Sequence, residues 1–132
     1  MRKTGPATIE EIENFLSGIN QHPIIVAMLP ADIRSALIAK TSTVLLSRYT
    51  ADKQKKHPEI TAESFRWLQE LLDVGERIYD KKNHVTVIQL RDQPYLAVIK
   101  ATKNSEEVYL QSFRRSDAKN ISSLRKRNAG GD

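Results

Sequence analysis

The first part of the chain has the hydrophobic pattern of amphipathic helices. From residue 8 onward, apolar side chains follow the three- and four-residue spacing of a helix: Ile9, Ile12, Phe15, Leu16 and Ile19. Thr8 and Glu11 have the spacing of a capping box, and Gly18 is expected to end this helix. A second helix is predicted over residues 30–40, beginning at Pro30 and with these apolar residues on one side: Ile33, Leu37 and Ile38.

The middle of the chain alternates between strand and helix patterns. The β-branched residues of positions 41–47 predict a short strand. Thr50 is placed to cap a helix over residues 51–57. Lys53 and His57 lie four residues apart in this predicted helix and are therefore expected to share a face.

The second half of the chain is dominated by strand patterns. After a helix over residues 62–72, an edge strand is expected at 75–80, and three more strands are predicted: 85–90, 95–102 and 107–115. Helices gathered before an antiparallel sheet of about four strands indicate an α+β domain, which ends in a short basic helix. We expect a single domain, 1–132, with three parts: a helical part over 8–40, a sheet-bearing core over 41–127 and a frayed tail over 128–132.

The last two predicted strands carry polar and charged residues among apolar ones: Lys100, Thr102, Tyr109, Ser112, Arg114 and Arg115. A strand tolerates such side chains where its sheet face is exposed to solvent. They therefore indicate a binding surface for a phosphate-bearing partner. An even-numbered loop between these strands places Lys100 opposite Tyr109 and leaves one face apolar. An odd-numbered loop with a bulge places Lys100 and Ser112 on one face instead. Burial favours the even register, but the sequence leaves both open.

Composition and charge exclude several classes of site and partner. The 132 residues include no cysteine, which excludes disulfides, thiolate nucleophiles and cysteine-ligated zinc. The net charge is +5, and the basic residues lie in two segments that a fold can join into one patch attractive to nucleic acid. Histidines and carboxylates do not have the spacing of a metal site, and no apolar run is long enough to span a bilayer. We therefore expect a cytoplasmic protein with no metal, no cofactor and no membrane partner, and leave its oligomeric state open.

Three segments together resemble a superfamily of nucleases: VLLSRYTADKQKKHPEI, YLAVIKATK and EEVYLQSFRRS. In this order they are similar to the phage-associated branch of the barnase, EndoU, colicin and RelE (BECR) superfamily, often found at the C-terminus of Mu-like phage head-morphogenesis proteins. The resemblance covers residues 29–126 and implies helices packed against a four-stranded antiparallel sheet. It also implies a metal-independent endoribonuclease of phage or toxin type, acting on tRNA or another RNA in a host cytoplasm, with an immunity or phage protein as a further partner.

The resemblance also gives roles to individual residues. Cleavage of RNA without a metal needs a base for the 2′-hydroxyl, an acid for the leaving 5′-oxygen and cations for the phosphorane charge. The implied catalytic residues, similar to those of colicin D-like tRNases, are His57, Lys100, Ser112 and Tyr109. The implied phosphate-binding residues are Lys53, Lys56, Thr102, Arg114 and Arg115.

Less specific interpretations remain open for the same residues. His57 can be a connector between two helices, and Ser112 can simply end a strand. Arg114 and Arg115 can be solvated charges at the end of the hairpin, with no further role. EndoU-type enzymes use two histidines, and a second one is missing from this pattern. The chain can also be a non-catalytic module of the same fold that binds nucleic acid or protein, or a structural phage protein with no affinity for RNA.

Overall fold

The computed structural model describes residues 6–19, 21–79 and 81–129. Its helices are α1 (Ile9–Leu16), α2 (Ala31–Leu37), α3 (Arg48–Gln54), α4 (Leu68–Val74) and α5 (Ala118–Ala129). Its strands are β1 (Ile24–Met28), β2 (Thr43–Leu46), β3 (Glu76–Ile78), β4 (His84–Leu90), β5 (Pro94–Ala101) and β6 (Val108–Arg115). A 3₁₀ helix, Ala62–Arg66, precedes α4.

The described strands form one mixed sheet in the order β1-β2-β6-β5-β4-β3. Strands β3 to β6 follow one another as an antiparallel meander, and β1 pairs antiparallel with β2. Strand β2 lies parallel to β6, with Leu45 opposite Tyr109. The α+β class is confirmed, but the sheet has six strands instead of about four, because the apolar run 24–28 within the expected helical part forms β1 and pairs with β2.

Local capping chemistry sets the ends of the first two helices. The Thr8 hydroxyl accepts from the Glu11 backbone N–H at 3.2 Å, and the Thr8 N–H donates to the Glu11 carboxylate at 2.8 Å, so the predicted capping box is confirmed. Helix α2 ends earlier than expected because Ile38 adopts a left-handed conformation, with φ of 53°. Its side chain is 78% exposed, and that of Ile19 is 74% exposed, so neither belongs to the apolar side of a helix.

Helix α3 begins earlier than the sequence suggested. Ser47 is its N-cap, and its hydroxyl accepts from the Thr50 backbone N–H at 3.1 Å. Thr50 is therefore a buried residue of the first turn, not the cap. The helix ends at Gln54, and His57 lies beyond it, where the following proline disfavours helical backbone. The expectation that Lys53 and His57 share a helix face is consequently wrong.

The two faces of the sheet have different covers. On the face we call the inner face, α1, the 3₁₀ helix and α4 pack around fully buried side chains: Phe15, Leu46, Leu68, Leu71, Ile99, Leu110 and Phe113. The opposite face, called the outer face, carries Leu96, Val98 and Lys100 by alternation along β5. Part of it is covered by the predicted basic helix α5, through Ile121 and Leu124. Helix α5 reaches Ala129, so it includes positions 128 and 129 of the tail expected over 128–132, and 130–132 lie outside the described residues.

An ion pair with two hydrogen bonds joins α2 to β3. Arg77 donates from Nε to Asp32 Oδ2 at 2.8 Å and from Nη2 to Oδ1 at 3.1 Å. These hydrogen bonds, with the charge of the guanidinium, hold the pKa of Asp32 below its usual value. The carboxylate therefore stabilises the fold at neutral pH, and this stabilisation is lost as the pH falls below the usual aspartate pKa of 3.8.

We expect Asp32→Asn to lower the free energy of unfolding at pH 7 by about 0.5–1 kcal/mol, a modest loss because solvent screens the mostly exposed carboxylate. The difference from wild type should shrink at pH 3, where the wild-type carboxylate also begins to protonate. Urea unfolding at both pH values measures this. A difference of the same size at pH 7 and pH 3 would show that the charge of Asp32 is not its source.

Candidate nucleic-acid interface along strand β6

A bulge in β6 decides which side chains reach the outer face. At the hairpin end, Lys100 lies opposite Tyr109, as in the even register. The register then shifts by one residue at Gln111, so that Ser112 lies opposite Val98. Both arrangements that the sequence left open therefore occur in succession, and Lys100, Tyr109 and Ser112 share the outer face.

A cavity of about 340 Å³ lies at the hairpin end of β6. Hydroxyl, amine, amide and aromatic groups line it: Ser47, Tyr49, Lys100, Thr102, Tyr109 and Gln111. Burial and the Glu107 carboxylate, which accepts from the Tyr109 hydroxyl at 3.2 Å, raise the pKa of Tyr109. The phenol is therefore neutral at physiological pH.

The polar groups of this cavity differ in whether they already have partners. The Thr102 hydroxyl donates to Asn104 Oδ1 at 3.0 Å and accepts from the Glu107 backbone N–H at 3.1 Å, so it shapes the β5–β6 turn. Within the described part of the chain, the Lys100 amine and the Gln111 amide have no hydrogen-bond or ion-pair partner. These two groups are therefore available to a ligand.

At its other end, β6 is bordered by the turn that follows α3. The Gln54 amide donates to the Phe113 carbonyl at 2.8 Å and accepts from the Phe113 N–H at 3.0 Å. The Glu59 carboxylate accepts from the Arg115 N–H at 3.2 Å. These side chains take the place of a neighbouring strand beyond the end of β2, and they fix the turn carrying His57 against the edge of β6.

His57 and Glu59 form a pair within this turn. The half-buried imidazole has its Nδ1 3.7 Å from Glu59 Oε2. Burial acts to raise the pKa of the Glu59 carboxyl. Two backbone hydrogen bonds, from its own N–H and from that of Arg115, and the charges of His57 and Arg115 act in the opposite direction. Together they outweigh burial, so the pKa of Glu59 is lowered. Glu59 is thus an anion at neutral pH, suited to stabilise a protonated imidazole. Glu59 is not among the residues predicted from the sequence, although a carboxylate two residues after a histidine is a usable signal.

The residues singled out from the sequence fall into two groups. Lys100, Thr102 and Tyr109 surround the cavity, and Lys53 lies on the same side, with its amine 5.5 Å from the centre of the Tyr49 ring. The other group borders the far end of β6: His57, Arg114 and Arg115, with Lys56 exposed in the adjoining turn and Ser112 between the two groups.

The two groups are too far apart to form one catalytic centre. Tyr109 and Arg115 are six residues apart in β6, about 20 Å at the usual rise of a strand. Since Lys100 pairs with Tyr109 and the His57 turn contacts Arg115, the structure does not bring Lys100 to the imidazole. The outer face instead carries the cavity, Ser112 and Arg114, and the histidine–carboxylate pair borders the edge of β6 at its far end. Arg115, opposite Tyr95, has the alternation of the inner face.

Within residues 6–19, 21–79 and 81–129, no group of three acidic or histidine side chains is arranged to hold a metal ion. None of the helices in those ranges combines the length and apolarity that crossing a bilayer requires. Comparison of the chain with family models, curated proteins and solved structures found no match. The resemblance to the BECR nucleases stays a prediction.

Proposed function

We propose that the protein is a metal-independent endoribonuclease that binds RNA along the outer face of β6 and cuts it at the His57 end. The observation that supports this proposal is the contact chain from the imidazole through Glu59 to the backbone of Arg115. It joins a proton-transferring group and a carboxylate anion to the strand end that carries Arg114 on the outer face.

The chemistry that this arrangement supports is transesterification. The His57 imidazole takes the proton of an RNA 2′-hydroxyl, whose oxygen attacks the adjacent phosphorus. The bond to the 5′-oxygen breaks, and the products are a 2′,3′-cyclic phosphate and a 5′-hydroxyl that gains a proton from solvent. Arg114, which shares the outer face with Ser112, stabilises the charge of the phosphorane, and the Ser112 hydroxyl donates a hydrogen bond to a phosphate oxygen.

The remaining cationic and hydroxyl groups serve in binding. Lys100 and Tyr109 are about 20 Å from the proposed cleavage centre, so they act on a neighbouring stretch of the RNA backbone. Thr102 acts indirectly, because its hydroxyl holds the β5–β6 turn beside them. Lys53 and Lys56, on α3 and the turn that follows it, flank the same strip and add positive charge. A strip of this length suits single-stranded RNA, whose phosphates and bases are both accessible.

The proposal is tested by incubating the purified protein with total RNA and with tRNA in the presence of EDTA. We expect discrete products that carry 2′,3′-cyclic phosphate ends. Salt-sensitive binding with intact RNA at high protein concentration would contradict cleavage and favour the second candidate, a non-catalytic RNA-binding module. The distance between Lys100 and His57 is the observation that favours this second candidate. Absence of both binding and cleavage would contradict both.

Replacing Lys100 separates binding from chemistry. We expect Lys100→Ala to raise KM for RNA about three- to tenfold with little change in kcat, because the amine contacts a phosphate remote from the reacting bond. The salt dependence of binding should also weaken, with a slope reduced by about one. Lys119→Ala, which removes an exposed lysine from α5, is the matched control and should change neither quantity. A tenfold fall in kcat with unchanged KM would place Lys100 in the chemical step instead.

A further inference from the structure

The cavity at the hairpin end of β6 has features that the binding of a phosphate backbone does not use. Its volume of about 340 Å³ lies within the range of small-ligand pockets, about 300–1,000 Å³. Tyr49, the second residue of α3, borders it and is 74% exposed as a residue. An exposed aromatic ring at the rim of a polar cavity is a surface on which an unstacked nucleobase can lie.

The position of Lys53 strengthens this interpretation of Tyr49. Its amine lies 5.5 Å from the ring centre, which is a cation–π contact. The lysine amine therefore lies beside the ring. Its positive charge is placed to bind the phosphate of a nucleotide whose base stacks on Tyr49. Aromatic and cationic groups in this combination are typical of proteins that bind single-stranded nucleic acid.

Gln111 provides the group that can distinguish one base from another. The bulge directs this half-buried side chain into the cavity, and its amide has no partner among the described residues. A primary amide offers one donor and one acceptor side by side, which match N7 and the N6 amino group of adenine. The Tyr109 hydroxyl already donates to Glu107, so its oxygen is left as an acceptor for a second proton of a base.

We propose that this cavity binds one unstacked adenine of an RNA strand, with the base stacked on Tyr49 and its N6–N7 edge bound by the Gln111 amide. The inference rests on the proposed function for the choice of RNA as ligand. It adds a base preference located a few nucleotides from the cleaved bond, because the cavity and the His57 turn lie at opposite ends of β6. Lys100 then binds the phosphate next to that adenine.

The test uses hexamers of deoxyadenylate and deoxycytidylate, which lack the 2′-hydroxyl and cannot be cut by the proposed chemistry. Titration of the full chain with each, by fluorescence anisotropy, measures binding apart from cleavage. We expect the deoxyadenylate hexamer to bind at least about fivefold more tightly. Gln111→Ala and Gln111→Glu should both remove the preference for deoxyadenylate. Alanine lacks both the donor and the acceptor of the amide, and glutamate lacks the donor. Gln93→Ala, in the exposed β4–β5 turn, is the matched control and should keep it.

Tyr49 tests the stacking part of the proposal. Tyr49→Ala should weaken both hexamers about fivefold or more, whereas Tyr49→Phe should bind like wild type, because stacking needs the ring and not the hydroxyl. Equal affinity of wild type for the two hexamers, or a preference that survives in both Gln111 variants, would overturn the adenine subsite. Neither result bears on cleavage, which is scored separately on RNA. Intact RNA together with a retained adenine preference would instead refute the nuclease proposal and leave the subsite standing.

Discussion

Alanine at position 57 is expected to slow RNA cleavage by about 100-fold or more while changing RNA affinity by less than about twofold. The imidazole is the group placed to take the 2′-hydroxyl proton, and general base catalysis contributes about 10²–10⁴ to such rates. Its contribution to binding is small because Lys100 and Arg114 remain on the outer face. Single-turnover kinetics on a defined RNA, with binding measured separately, gives both numbers.

A second histidine provides the control for this experiment. His84 lies on β4 opposite Lys100, at the cavity end of the outer face and away from the proposed cleavage centre. We expect His84→Ala to keep kcat at the wild-type value. Glu59→Gln should lower kcat less than His57→Ala, since it weakens the stabilisation of the imidazolium but leaves the base in place. Cleavage by His57→Ala at the wild-type rate would remove the imidazole from the mechanism.

Leucine at position 54 is expected to lower the free energy of unfolding by about 2–4 kcal/mol. Gln54 is buried, and its amide satisfies both the N–H and the carbonyl of Phe113, which no strand satisfies beyond the end of β2. Leucine fills a similar volume but leaves two buried backbone groups without partners, at about 1–3 kcal/mol each. Urea unfolding followed by circular dichroism measures the difference.

The matched control for this substitution is Gln93→Leu. Gln93 lies in the exposed β4–β5 turn, so its replacement should change the unfolding free energy by less than about 0.5 kcal/mol. A loss of similar size in both variants would show that leucine itself, rather than the missing amide, is responsible. If Gln54→Leu unfolds like wild type, the amide does not hold the α3 turn against β6.

Local features of this fold could be predicted from the sequence, and distant pairings could not. The Thr8–Glu11 capping box and the pairing of Lys100 with Tyr109 follow from neighbouring residues, and both are confirmed. The run 24–28 is too short to distinguish strand from helix, and its strand partner β2 lies fifteen or more residues away. The cap of α3 was placed three residues late because serine and threonine both serve as N-caps.

The candidate site shows the same division between local and distant information. Alternation along β5 indicated which of its residues reach the outer face, but the faces of Ser112 and Arg114 depend on the bulge in β6, which the sequence left open. Alternation also carries no information on how far along the strand the His57 turn would pack. That position depends on the contacts of Gln54 with Phe113 and of Glu59 with Arg115, which join residues more than fifty positions apart. The predicted single centre therefore divides into a cavity end and a histidine end.

The central claim is that RNA lies along the outer face of β6 from the cavity to the His57 turn. The most direct test is an NMR titration of the isotopically labelled protein with a 2′-O-methyl RNA hexamer, which cannot be cleaved. We predict chemical-shift changes at both ends of β6, including Tyr109, Arg115 and the His57 ring, with none on α1 and α4 of the inner face. Shifts confined to the inner helices, or shifts that spare both Tyr109 and His57, would contradict it.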